Sequence, residues 1–347
     1  MSKAKIIMAS AMVVLMLFGM AGFGFAEENA PKFKLKLQSF LPPEQTKEDY
    51  GALADRVKAM TGGEIEITAY PINSLVPVKE IMTAVGRGAI DMGSAPGGYF
   101  HKLVPVSEIE GGLPFAFSNI NQAYYFMFQG GFLDILRKSY AKQNVHNFTS
   151  ECYPIALMTK KPIMKVEDLK GVKLRAFGTM ALWLQKMGAA TTYISGAELY
   201  TSLATGVVDG AHWGAASPAY KMRMHEVLKN YMLPEPIIGA WNSIFINMDI
   251  WKKMTPRQQA IMEAATTAYC TFEGSTADHL TDARALRDMV ENWNVKVNTL
   301  PDSEVKKMEK FGREVWDEVA AKDPLNKEAI TLLKNFLESK TVWMKKH

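Results

Sequence analysis

The chain has 347 residues, 40 Lys and Arg against 36 Asp and Glu, and a composition that is 48% hydrophobic and 22% charged. A balance this close to neutral argues against a nucleic-acid binder, whose footprint is a strongly basic face. The length predicts two ordinary globular domains.

The chain opens with Lys3 and Lys5, followed by an uncharged apolar run from Ile6 to Phe25. Gly19, Gly22 and Gly24 interrupt the run, which closes in Gly24-Phe25-Ala26 before Glu27. This reads as a basic region, an apolar region and a small-x-small cleavage site after Ala26. A retained anchor is the competing reading, because the run approaches the length of a spanning helix; the glycines favour cleavage. We therefore expect a signal peptide over residues 1–26, export to the periplasm and a mature chain from Glu27. Without Lys3 and Lys5, 38 basic residues stand against 36 acidic ones. No Cys stands directly after the run, which argues against a lipid anchor there. Cys152 and Cys270 are the only cysteines; a disulfide and two buried thiols both fit an oxidising compartment.

Lys34 to Phe40 alternates polar and apolar residues, as a strand does. A helix follows over Asp49 to Met60, stopped by Gly62-Gly63, then a strand over Glu64 to Tyr70. A helix over Val78 to Val85 and a short strand over Ala89 to Met92 complete a β-α-β-α-β run, which implies a mainly parallel sheet. The alternation recurs: strand Val172 to Arg175, helix Met180 to Met187, strand Thr192 to Ile194, helix Glu198 to Ala204, strand Val207 to Ala211. From Thr255 the pattern is mostly helical, opened by the capping sequence Thr255-Pro256-Arg257-Gln258.

The two halves echo each other. Glu80 precedes Asp91 by the same interval as Glu198 precedes Asp209, and Gly88 and Gly206 each stand three residues before the aspartate. The continuations Gly93 to Gly98 and Gly210 to Gly214 are rich in small residues, which let a ligand approach the backbone at strand ends. Two similar domains facing a cleft would give this pattern; so would the common helix-Gly-strand idiom of α/β proteins.

Enzyme motifs are missing. There is no nucleophile elbow, phosphate loop, dinucleotide fingerprint, zinc helix or Cys pair at redox spacing. The six histidines are scattered, and the methionines read as core filler. The one well-placed charge is Arg175, at the end of an apolar strand and before the bend Ala176-Phe177-Gly178. A guanidinium there suits a carboxylate or sulfonate, although a surface arginine at a strand end fits the pattern equally. Ser195-Gly196-Ala197-Glu198 reads as a capping box. Trp213, Trp241, Phe177 and Tyr99 come after strands or stand beside glycines; each alone suits a core, and together they suit an apolar box around an anion.

At these residues the sequence resembles the extracytoplasmic binding proteins of tripartite ATP-independent periplasmic (TRAP) transporters, over nearly the whole mature chain. Gly88 to Gly93, Leu113-Pro114-Phe115-Ala116-Phe117, Lys161-Pro162-Ile163 with Asp168 to Arg175, and Glu198 to Gly210 carry the likeness. The resemblance implies an α/β fold of two lobes, a ligand cleft between them, long C-terminal helices and delivery of the ligand to membrane permease subunits. It also puts the family's carboxylate-binding arginine on Arg175. Two departures stand out. Tyr153 to Leu157 carries no second arginine, which counts against dicarboxylates and sialic acid. His212 stands before Trp213 where the 2-oxoacid binders have an acidic metal ligand, so no metal and no cofactor are expected.

The resulting expectation is a receptor and not an enzyme. Its first lobe spans residues 27–150, rejoined by about 238–278; its second spans 151–237; helices over 279–347 pack beneath both. Arg175 anchors a small organic monoanion. Trp213, Trp241, Phe177 and Tyr99 shape the pocket, and His212, Asn242 and Gln38 are candidate polar contacts. Amino acids are not expected as ligands, since no motif supplies a carboxylate to meet an ammonium group. A sensor role, the binding protein of an ATP-driven transporter, and a lyase or isomerase with His212 as base are the alternatives.

Overall fold

The computed structural model describes residues 32–346, without the side chains of 197, 272–279 and 340–346. The signal-peptide segment lies outside the described residues. Among the described residues twelve strands come in chain order: β1 (Phe33–Gln38), β2 (Ile65–Tyr70), β3 (Met92–Pro96), β4 (Val145–Asn147), β5 (Cys152–Ile155), β6 (Leu157–Thr159), β7 (Lys173–Arg175), β8 (Ala190–Thr192), β9 (Gly210–His212), β10 (Asn230–Leu233), β11 (Ile237–Asn247) and β12 (Lys296–Thr299). They form two sheets. The first runs β2-β1-β3-β11-β4, with β5 also paired to β11; the second runs β12-β10-β6-β9-β7-β8. β1, β2 and β3 are parallel, as are β7, β8 and β9. Helical crossovers between parallel neighbours place the ends of these strands at one edge of each sheet, where ligands of α/β proteins bind.

The chain passes between the sheets three times. β5 ends at Ile155 in the first sheet and β6 begins at Leu157 in the second. β10 ends at Leu233, and the long β11 returns the chain to the first sheet. β11 is buried along nearly its whole length and pairs antiparallel with β3, β4 and β5. A third crossing comes after the helix Pro256–Ala268, which a π-helical turn over Tyr269–Gly274 joins to the helix Ser275–Trp293. Such turns bend a helix. Leu53, Val57, Met262 and Ala265 bring the helices Pro43–Met60 and Pro256–Ala268 onto one face of the first sheet. Met289 instead joins the core of the second lobe with Leu199, Leu203 and Val208.

The last helices tie the lobes together. Trp183 donates its indole N–H to the Met308 carbonyl, and Trp316 donates to the Pro114 carbonyl, both at 3.0 Å. Several boundaries differ from the sequence pattern. β12 is a strand inside a stretch read as helical; it adds a parallel edge to β10. β3 and β9 begin later than expected because Asp91 and Asp209 turn their carboxylates onto the backbone of the neighbouring strand. Asp91 Oδ2 accepts from Lys36 N at 2.7 Å, and Asp209 Oδ2 accepts from Lys173 N at 3.1 Å. The glycines of the echo also serve packing. A Cβ on Gly93 would lie 2.3 Å from Ile81 Cγ2, and one on Gly210 would lie 2.5 Å from the Met158 carbonyl oxygen. Cys152 and Cys270 are buried thiols.

Candidate functional site

β7, β8 and β9 end side by side, and the segments leaving their ends build one wall. β7 delivers Arg175. The chain then bends through Ala176 and Phe177 into the helix Gly178–Lys186, with Gly178 at φ +58°, where a side chain would be strained. Tyr193 comes directly after β8. β9 ends in His212, and Trp213 lies over the start of the helix Gly196–Ala204. A Cβ on Gly196 would stand 2.6 Å from the Trp213 ring, so only glycine admits the indole there.

Arg175 is 1% exposed. Its Nε donates to the Ile194 carbonyl at 3.1 Å and its Nη1 to the His212 carbonyl at 2.7 Å. Nη2 donates to no described protein atom. The guanidinium carbon lies 4.9 Å from the Phe177 ring centre, 4.8 Å from Trp213 and 5.8 Å from Tyr193. Burial pushes its pKa down to about 10, with Tyr99 and Tyr193 opposing. It therefore remains charged at neutral pH. Two carbonyls orient this cation without neutralising it, and one N–H-bearing corner is left for a bound anion.

His212 is 2% exposed, and its Nε2 accepts the Phe177 N–H at 3.2 Å. Burial, and then Arg175, hold its pKa well below the ordinary imidazole range. The ring is neutral with its proton on Nδ1, so Nε2 is already engaged and cannot serve as a general base.

The first lobe closes the other side. Tyr99, in the turn after β3, meets Phe177 edge-on at 5.7 Å. Lys79 sets its ammonium 5.5 Å from the centre of the Tyr193 ring. Burial chiefly, then Tyr193, raises the Tyr99 pKa, and Arg175 opposes that rise. Arg175, Phe177, Tyr99, Trp213 and His212 thus come together as one site.

The other sequence candidates fall elsewhere. Trp241 is 2% exposed and lies edge-on to Tyr124 and Phe128, at 5.1 and 6.0 Å, inside the first lobe. It is a core residue: side chains alternate along β11, and Trp241 takes the face opposite Asn242. Gln38 is fully buried and braces the loop after β2; its Oε1 accepts from Leu75 N and Val76 N at 2.7 and 2.8 Å, and its Nε2 donates to the Val76 carbonyl at 2.6 Å. Asn242 stands at the cleft edge, its Oδ1 accepting from Tyr153 at 3.2 Å and its amide donating to Glu151. The capping box at Ser195 does not form; Ser195 Oγ instead donates to Glu198 Oε2 at 2.6 Å. Sequence reasoning missed Tyr193, Lys79, Glu151 and Tyr153. Tyr193 was recoverable, since it stands as close to the end of its strand as Phe177 does to β7. The others carry no local signal, because long-range packing brings them to the cleft.

Two sheets, strand ends facing across a cleft and an un-neutralised buried cation define a two-lobed solute-binding protein. The model of the bacterial extracellular solute-binding protein family 7 matches residues 40–323, and the chain belongs to that family. It is 27% identical over 296 residues to a monocarboxylate 2-oxoacid-binding periplasmic protein of Nostoc sp., across 84% of this chain and 80% of the relative. A TRAP transporter solute-binding protein from Bordetella bronchiseptica, with copurified calcium and picolinate, matches with a TM-score of 0.82 at 25% identity, over 91% of this chain and 94% of that one. A TRAP periplasmic solute-binding protein from Colwellia psychrerythraea, with bound calcium and pyruvate, shares the fold at a TM-score of 0.81 and 23% identity, over 90% and 96% of the two chains. The protein is a TRAP-type extracytoplasmic receptor and not an enzyme. No described helix is long and apolar enough to cross a membrane.

Proposed function

We propose that this receptor captures a small organic monoanion in the periplasm, with the anionic group on Arg175, and delivers it to the permease subunits of its transporter. The carrying observation is Arg175: buried, charged, and held by carbonyls that leave one corner of the guanidinium unused. Phe177, Tyr99, Tyr193 and Trp213 enclose the apolar body of the ligand. Export with cleavage after Ala26 supplies the route to the periplasm. A carboxylate and a sulfonate would both satisfy the guanidinium. A lyase or isomerase reading loses its base, because His212 is neutral and its Nε2 holds the Phe177 N–H. Sensing and transport share this binding step.

The side chains beside Arg175 do not suit the calcium named with the solved relatives. The groups around Arg175 are a neutral imidazole with its acceptor nitrogen engaged, phenols and an indole. Among the described residues no three of His, Cys, Asp and Glu gather closely enough to hold a metal ion. A hard divalent cation needs oxygen donors, mostly carboxylates. Ligand binding is expected to be metal-independent, with calorimetric affinity unchanged after chelation; a loss restored by calcium would overturn this reading.

The direct test is mass spectrometry of the ligand retained on purified protein, followed by a thermal-shift panel. Stabilisation by short monocarboxylates or sulfonates is expected. Stabilisation by neutral sugars alone would refute the anion assignment.

A further inference from the structure

We infer that Lys79 of the first lobe and Tyr193 of the second form a latch at the rim of the cleft, which holds the lobes together over Arg175 without neutralising it. This inference rests on the assignment of Arg175 as the anion anchor.

The first lobe delivers Lys79 on a fixed turn. Gln38 holds the loop after β2, and Asn73 Oδ1 accepts from Val78 N at 2.8 Å where the turn Val78–Glu80 begins. The second lobe delivers Tyr193 directly after β8, with 48% of the residue exposed. The Lys79 ammonium stands 5.5 Å from the centre of that ring, and among the described residues it has no carboxylate partner. Arg175 Cζ stands 5.8 Å from the same centre. One ring is thus shared by two cations, an exposed one from the first lobe and a buried one from the second. Phe177 meets Tyr193 edge-on at 6.2 Å, and Tyr99 of the first lobe meets Phe177 at 5.7 Å. Each of the two rings beside Arg175 therefore takes one contact from the first lobe, and parting the lobes breaks both.

The chemistry of the site explains why an aromatic ring takes the ammonium. A carboxylate in place of Tyr193 would also hold Lys79, but it would stand beside Arg175 and compete with the bound anion. An aromatic face attracts an ammonium through its quadrupole and brings no carboxylate near the guanidinium. The contact is also modest. At an exposed rim it is expected to change the ratio of closed to open lobes about threefold, which favours closure and still permits release. A second attraction spans the lobes at Asp49, on the helix Pro43–Met60. Burial chiefly pushes Asp49 up to about 6, with Lys221 of the second lobe opposing and Glu48 adding to the rise. That attraction fades as Asp49 takes up its proton, so the latch is compared at pH 8, where Asp49 is ionised in every variant.

The test reads the lobes themselves. Pulsed electron-resonance distances between spin labels on exposed positions of the two lobes give the closed-to-open ratio, without added anion and with pyruvate or methanesulfonate as probes. Lys79→Met and Tyr193→Leu should each shift the ratio about threefold toward open, and the double variant no further than Tyr193→Leu alone. Lys79→Arg and Tyr193→Phe, which keep the cation and the ring, should hold the parent ratio. The probe anion that binds should dissociate about threefold faster from Lys79→Met, with its association unchanged. An unshifted ratio in Lys79→Met, or shifts that add in the double variant, would overturn the latch. A loss confined to association and abolished by salt would show Lys79 steering anions into the cleft, and would overturn it as well. Arg175→Ala should lose both probes; a variant that retained them would overturn the anchor, while the ratios measured without anion would still decide for or against the latch.

Discussion

Gln38 and Arg175 occupy the same place in the two lobes. Leu37 pairs with Met92 at the start of β3 as Leu174 pairs with Gly210 at the start of β9. Asp91 and Asp209 each precede that partner strand and cap the residue before the leucine, Lys36 and Lys173. The next residue in each case is the long polar side chain, Gln38 or Arg175, and both are buried. Their fates differ. Gln38 commits its amide to the backbone of Leu75 and Val76, and so holds a loop. Arg175 is steered by two carbonyls but keeps its charge and one donor corner. Burial alone marks neither as functional. What separates them is whether folding satisfies the group or only orients it.

The largest expected effect is on the Arg175 side. Arg175→Ala should weaken binding by roughly 2 to 5 kcal/mol, about 30-fold or more, as expected when one partner of a buried charged contact is truncated. The variant should still fold, because an unpaired buried cation costs the native state stability rather than adding to it. Calorimetry with the cognate anion and an unfolding scan of the ligand-free protein check both halves. A parent-like affinity would remove the contrast altogether.

Glu110 tests the claim that satisfaction, not burial, is the criterion. It is fully buried, and accepts from Tyr140 and Ser243 at 2.6 Å and from Asn147 at 3.4 Å. Burial pushes its pKa from an ordinary 4.5 up to about 7, against the pull of those donors. An acid raised by folding binds its proton more tightly in the native state. The stability it contributes is complete below about pH 4.5 and falls as the pH rises to about 7. Glu110→Gln should remove roughly 1 to 3 kcal/mol of that slope between these limits, without altering ligand affinity. Parent and variant melting temperatures across this range check it, and the difference between them isolates Glu110 from Asp49, which titrates in the same direction.

Gln38→Ala should act on the fold. Losing three hydrogen bonds to the loop should cost about 1 to 3 kcal/mol in denaturant unfolding. The affinity should change little; a loss as large as that of Arg175→Ala would make the two positions functionally alike. The smallest effect is expected from Gly196→Ala. Its methyl group would shift the Trp213 ring on Arg175, weakening binding about threefold, the low end of the range for a cation–π contact that is displaced but not removed, with stability nearly unchanged.

Much of the fold was legible in the chain. Alternation and helical spacing located β1, β2, β7 and the helices after them, and the repeated Glu-to-Asp interval falls on matching places in the two sheets, ahead of β3 and β9. Arg175, Phe177 and Trp213 were legible because each ends a strand or stands just past one, where the backbone itself carries the side chain to the cleft. Gln38 and Trp241 satisfied the same local rule and yet serve the fold. Gln38 meets a loop some forty residues on, and Trp241 faces inward along β11, a choice that alternation permits equally in either direction.

The sequence by itself determined the class of protein: periodicity implied an α/β chain, and the resemblance carried by Gly88 to Gly93, Leu113 to Phe117, Asp168 to Arg175 and Glu198 to Gly210 implied a binding protein. Only the tertiary structure decided which polar groups meet one another. Glu151, Asn242, Tyr153 and Tyr269 come from three separate stretches of chain. They meet because β5, β11 and the bent helix pack together, and hydrogen bonds between such distant residues leave no trace in local sequence spacing.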